Sequence, residues 1–248
     1  MTNPCWMNRW LSGKTAPGQW ATISDMHISD LPDKTQDYLK TIWDITDRNG
    51  GQPATLGEIA EILEQKTPTA SEAIKRLATR DLVHHERYSG VTLTATGRAL
   101  ALEMVRRHRL LETFLHDVLG YTWDEVHEDA DLLEHAASDR LIARIDAHLG
   151  HPRRDPHGDP IPTAEGLIDD LGHTTLATAV PGTTVTITRV QDIDPELLRY
   201  LAEHDVVPGS RIIIAREPFA GIVEAVVEDT GQRFPLAVTQ LPLITVQV

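Results

Sequence analysis

Two short helical phrases joined by two polar residues, then a hairpin, constrain this chain more than any other stretch of it. In "ATLGEIAEILEQKTPTASEAIKRLATRDLV", Thr55 stands where a helix cap belongs, and Leu56, Ile59, Ala60 and Leu63 recur at helical spacing. Gln65-Lys66 makes a tight connection. A second helix runs from about Pro68, tolerated in a first turn, with Ala70, Ala73, Ile74 and Leu77 inward. "DLVHHERYSGVTLTATG" then predicts two strands turning at Ser89-Gly90 and ending at Gly97. Upstream, "DKTQDYLKTIWDITDRNG" is helical, with Tyr38, Ile42 and Ile45 on one stripe and Asn49-Gly50-Gly51 as its stop. Helix, helix, turn, helix, hairpin is the order of a winged helix-turn-helix.

Such a domain presents the start of its third helix. Here that means Lys66, Thr67, Pro68, Thr69 and Ser71, with Lys75 and Arg76 further along. Small hydroxyls at a helix N-terminus suit phosphates and base edges, so double-stranded DNA is the expected partner. A small helical domain that binds protein is the alternative. The net charge of −14 argues against DNA only if averaged over the chain. Residues 1–109 hold 14 Lys+Arg against 13 Asp+Glu, whereas residues 110–248 hold 9 against 24. A near-neutral first part can meet DNA while the acidic remainder faces away and attracts divalent cations.

The middle of the chain predicts two long helices, 96–120 and 122–150, the second opened by a Thr122/Glu125 capping box. It contains "EDADLLEH", in which Asp131, Glu134 and His135 are spaced i, i+3, i+4 and share one face. Two carboxylates and an imidazole there repel one another unless a cation sits among them; a solvated acidic face is the plainer reading. His108 and Glu112 are i, i+4 on the preceding helix, His127 lies one turn before Asp131, and Asp37 lies on the exposed side of the first helix. "HPRRDPHGDPIPTAEG" predicts a loop leading to a linker. The β-branched runs "TTVTITRV", "SRIIIARE", "IVEAVVED" and "LPLITVQV" predict a small C-terminal β-barrel, interrupted by the helical "PELLRYLAEH". The single cysteine, Cys5, forms no internal disulfide, which suits a reducing cytoplasm, and no apolar run has the length of a membrane span. Residues 1–29 are expected to be a poorly ordered extension.

"YLKTIW", "PTASEAIKRLATRDLV", "LTATGRALA", "RRHRLLETFL", "EVHEDADLLEH" and "PHGDPIP" together resemble the diphtheria-toxin-repressor family of metal-dependent transcriptional regulators, over about residues 30–248. The resemblance implies a multi-domain, mainly α chain with β. Its parts are a winged helix-turn-helix over 30–98, a helical dimerisation and metal-binding domain over 99–163, a linker over 164–180 and an SH3-like barrel over 181–248. It also implies a homodimer that represses metal-uptake genes when metal activates operator binding, and two metal sites per chain. Carried over, the regulatory site falls on Asp37, Asp131, Glu134 and His135. The ancillary site falls on His108, Glu112 and His127, with Asp192 as the acid from the C-terminal domain and Asp194 and Glu196 as weaker matches. Iron-type members have methionine and cysteine where this chain has Asp37 and Asp131. Members that sense manganese have carboxylates there, which makes Mn2+ the expected cofactor and Fe2+ the alternative. The compact manganese members have glutamate where this chain has Lys40; an ammonium cannot ligate, so two separated sites are expected rather than a paired cluster. Hard oxygen donors favour manganese, whereas thiolate and thioether favour softer metals. A metalloenzyme would be a reading of a different class. No HExxH motif and no Ser/His/Asp order supports it, and an adjoining helix-turn-helix has no place in it.

Overall fold

The computed structural model describes residues 26–86, 89–172, 174–215 and 220–247. The first domain is built from α1 (Asp33–Arg48), α2 (Leu56–Ile62), α3 (Thr67–Thr79) and an antiparallel hairpin of β1 (Val83–Glu86) and β2 (Gly90–Leu93). Thr55 accepts from the Glu58 amide while the Glu58 carboxylate accepts from the Thr55 amide, so two orphan donors at the start of α2 are satisfied reciprocally. Ile42 of α1, Ile59 of α2, Ile74 of α3, Leu82 just before β1 and Val91 of β2 are fully buried together. The expected winged helix-turn-helix is therefore present. Of the expected extension, residues 1–25 lie outside the described residues; Ile28 is fully buried in this core and Met26 packs against it.

The long helix α4 (Ala95–Leu119) ties two cores together. Its first half gives Leu100, Leu102 and Met104 to the core of the first domain, and its second half gives Leu110, Leu111 and Leu115 to the next. Gly120, in the left-handed region at φ 77°, ends it. The single helix expected over 122–150 is instead two, α5 (Val126–Ala136) and α6 (Asp139–His148). Ala137 is extended, and Ser138 restarts the helix by accepting from the Leu141 amide. The helix also does not begin at Thr122. The Trp123 indole donates to the Leu198 carbonyl at 3.1 Å and is buried in the C-terminal core, and 123–125 form a turn ahead of α5.

The C-terminal domain is a five-stranded antiparallel sheet in the order β6-β5-β4-β3-β7. Its strands are β3 (Thr184–Val190), β4 (Arg211–Ile214), β5 (Ile222–Val227), β6 (Arg233–Ala237) and β7 (Ile244–Gln247), with α7 (Pro195–Glu203) between β3 and β4. Alternate residues of β3 and β5 are buried, as a sheet with one covered face requires. The expected boundary at 181 is too late. Thr175 bridges Thr245, and Leu176 is buried in this core, so part of the expected linker belongs to the sheet domain.

The loop at 151–161 is not a surface tether. Asp155, His157, Gly158, Asp159, Pro160 and Ile161 are buried. Gly158, at φ +89°, passes so close to a bulge in β3 that an added Cβ would lie 2.1 Å from the Thr188 carbonyl oxygen. Only glycine allows that approach. Asp159 accepts from Arg109 of α4 at 3.0 Å and from Arg189 of β3 at 2.9 and 3.0 Å, so one carboxylate clamps the sheet domain to the helices.

Candidate metal centre

Three helices meet in a cleft of about 980 Å³. From α1 come Asp37 and Lys40, and from α4 come His108 and Glu112, one turn apart. From α5 come His127, Asp131, Glu134 and His135, which recur on one helical face. Asp192, just past β3, closes the fourth side.

His108, Glu112, His127 and Asp192 each offer a donor atom within 4.8 Å of the others. Nε2 of His108 lies 2.9 Å from Glu112 Oε1, and Nδ1 of His127 lies 3.1 Å from Asp192 Oδ2 and 3.3 Å from Glu112 Oε1. Of the three acids considered beyond β3, Asp192 alone joins this cluster. Asp194 instead caps α7 by accepting from the Leu197 amide, and Glu196 is exposed. The second cluster is Asp37, Glu134 and His135, with His135 Nε2 3.0 Å from Asp37 Oδ1 and 3.8 Å from Glu134 Oε1. Asp131 stands between the clusters, 3.2 Å from His108 Nδ1 and 3.4 Å from His127 Nε2. The clusters share a wall: the His108 ring points Nε2 at Glu112 and Nδ1 at Glu134 Oε2, 2.7 Å away.

The electrostatics are those of a cation site. Burial pulls the Lys40 ammonium down, but Glu134 and Asp131 outweigh it and hold the group above the usual lysine range. Burial raises Asp131 and Glu112, yet the neighbouring imidazoles, joined at Asp131 by Lys40, hold both below the ordinary carboxylate range. Burial lowers His127, but hydrogen bonds to Asp192 and Glu112 push it up to about 10. Eight side chains offering only oxygen and imidazole nitrogen fit a hard or borderline divalent ion.

Sequence reasoning missed three supports. Gln36 is buried and its amide Nε2 donates to the carbonyls of Leu31 and Ile28 at 2.7 and 3.2 Å. Its Oε1 then accepts from Nδ1–H of His135, 2.9 Å away, which turns Nε2 toward Asp37 and makes it the ring nitrogen open to a bound ion. His157 directs Nε2 to the Trp123 carbonyl at 2.6 Å and Nδ1 toward Glu112 Oε2 at 3.8 Å, so it backs the other cluster. Lys40 was recognised as unable to ligate, but its position inside the carboxylates was not foreseen. A buried glutamine and a histidine in a Pro/Gly loop carry no local signal of either role.

On α3, Lys66, Thr67, Pro68, Thr69, Lys75 and Arg76 are exposed and Ser71 is partly so. Lys75 lies 2.6 Å from Glu72 on the same exposed face.

Comparison with known proteins agrees with this architecture. The domain described as "Iron dependent repressor, N-terminal DNA binding domain" matches residues 30–91. "Iron dependent repressor, metal binding and dimerisation domain" matches 94–163, and "FeoA domain" matches 174–237. The iron-dependent repressor IdeR of Mycobacterium leprae is 34% identical over 212 residues, spanning 79% of this chain and 90% of that protein. A solved manganese-dependent transcriptional repressor in complex with manganese is 44% identical with a TM-score of 0.78, covering 86% of this chain and 98% of that one. The manganese regulator SloR is 32% identical with a TM-score of 0.71, covering 86% and 97%. These matches, over all three domains, exclude the metalloenzyme reading: this chain belongs to the iron-dependent repressor family of DNA-binding, metal-dependent transcriptional regulators.

Proposed function

We propose that this protein is a manganese(II)-responsive repressor of metal-uptake genes that binds operator DNA as a homodimer. One observation carries the choice of metal: the eight donor candidates are carboxylates and imidazoles throughout, with Asp37 and Asp131 where a thioether and a thiol would favour iron. One relative of known structure is described as a manganese-dependent transcriptional repressor and another as a manganese regulator, which supports the same reading. Asp37, Asp131, Glu134 and His135 would hold the regulatory ion; His108, Glu112, His127 and Asp192 would hold a second. A bound ion supplies a cationic cross-link between α1 of the DNA-binding domain and α5 of the dimerisation domain. Gln36 fixes the His135 ring for it, and Asp192 brings the sheet domain to the second cluster. Leu119, Leu133 and Leu141 are exposed, apolar surface that a second copy would cover. The cross-link would favour the spacing of two recognition helices that matches successive major grooves, roughly 34 Å per helical turn.

The test is DNA binding with duplexes selected from a random library, titrated with manganese, anaerobic iron and zinc. Manganese should activate the unmutated protein. Asp37→Met together with Asp131→Cys should shift the response toward iron. A protein that responds to iron and ignores manganese would refute the choice of metal.

On α3, Thr67, Pro68, Thr69 and Ser71 are proposed to face base edges, with Lys66, Lys75 and Arg76 toward phosphates. Arg76→Ala should weaken all duplexes alike and lower the slope of log affinity against log salt by about one unit. An unchanged slope in fluorescence anisotropy over a salt series would remove Arg76 from the interface.

A further inference from the structure

Lys40 places a positive charge where the proposed regulatory ligands converge. Its Nζ lies 2.7 Å from Asp131 Oδ1, 2.7 and 2.9 Å from the two oxygens of Glu134, and 3.2 Å from His108 Nδ1. The side chain is only 14% exposed. Three carboxylate oxygens, Asp131 Oδ1 and both of Glu134, thus lie within hydrogen-bond reach of the ammonium, so atoms that would be offered to an ion are already engaged by the chain itself.

We propose that Lys40 is a tethered cation that holds the metal-free site together and competes with the regulatory ion for Asp131 and Glu134, thereby setting the metal concentration at which the site loads. This rests on the assignment of those two carboxylates as ligands. The physics is a substitution of one cation for another. Without Lys40, Asp131, Glu134 and Asp37 would be left with only the imidazoles of His108, His127 and His135 to offset their charge, and the contact between α1 and α5 would loosen. With it, an incoming ion gains the carboxylates only as the ammonium releases them. Asp44, one turn further along α1 and lining the same cleft, offers the released ammonium another carboxylate. Lys40 also sits one turn from Asp37 on the same helix, so a single small shift of α1 would move ligand and competitor together.

The test is calorimetric titration of manganese alone into the full-length, metal-free protein. Lys40→Met and Lys40→Gln, each shown folded by circular dichroism, should tighten one binding event about tenfold, the scale of losing a close competing charge in a partly shielded site. Lys40→Arg should stay near the unmutated value. Asp37→Ala identifies the event concerned, because it should weaken the one that the neutral variants strengthen. In the absence of metal, both neutral variants should unfold at a lower temperature than the unmutated protein. Unchanged or weaker manganese binding in both neutral variants, with binding by the unmutated protein intact, overturns the role of Lys40 alone. No manganese binding by the unmutated protein, or none that Asp37→Ala weakens, overturns the ligand assignment and this inference with it.

Discussion

Replacing Glu134 by alanine should abolish manganese-dependent DNA binding and weaken the regulatory site by more than about 100-fold, beyond what loss of an outer support costs. Glu134 is 1% exposed and belongs both to the cluster with Asp37 and His135 and to the cluster with His108 and Asp131. Its removal takes a ligand from one site, takes a 2.7 Å partner from Nδ1 of the His108 imidazole that borders the other, and leaves the Lys40 ammonium with Asp131 as its one remaining carboxylate among these ligands. No neighbouring side chain can replace it, because Asp131 already faces His108 and Lys40. Exposed Glu128, one and a half turns earlier on α5, is the control: Glu128→Ala should leave both properties unchanged. Calorimetry for metal and anisotropy for DNA measure the two effects. A Glu134→Ala protein within threefold of the unmutated affinity would show that the ion is held elsewhere.

The largest loss of stability should come from Arg109→Met. Arg109 is buried, donates to the Pro160 carbonyl at 2.6 Å and to Asp159 at 3.0 Å, lies 3.7 Å from Asp155, and stacks over Trp43 with its guanidinium carbon 5.2 Å from the ring centroid. Methionine keeps the length of the stem but leaves two buried aspartates with one cation fewer. Breaking a buried pair from one side costs about 3–5 kcal/mol. Arg189 still pairs with Asp159, so the lower end of that range is expected. Thermal unfolding should show it, and hydrogen exchange should show the sheet domain loosened more than α2 and α3. Adding Asp155→Asn should recover part of the loss, because an amide needs no counter-charge. If the single variant unfolds as the unmutated protein does, the clamp between domains is not made by this network.

The legible features and the hidden ones differ in the range of the interactions that make them. Apolar spacing in 33–79 and the caps at Thr55 and Gly120 are local, and the helices stand where the spacing put them. The i, i+3, i+4 spacing of Asp131, Glu134 and His135 likewise specifies a shared face before any packing is known. The break at Ala137-Ser138 was overlooked although Ser138 is a good cap, because the apolar period continues across it and masks the local signal. Trp123 could not be read locally at all: a residue whose indole is buried in a core that begins at Leu176 carries no sign of that in its neighbours.

What the sequence determined by itself, then, was the helices of 33–79, the order of the domains and the chemistry of the donors: oxygen and imidazole nitrogen, grouped by helical period. The tertiary structure alone decided how the groups share space. It set the His108 ring between the two clusters, brought Asp192 rather than Asp194 or Glu196 to the second, turned Gln36 to choose the tautomer of His135, and drove Lys40 into the carboxylates. These are contacts between residues 26 to 99 positions apart, set by the angles at which helices pack and by a loop that only Gly158 lets approach β3. Period and capping act within a few residues, whereas the placement of a charge depends on every surface that closes over it.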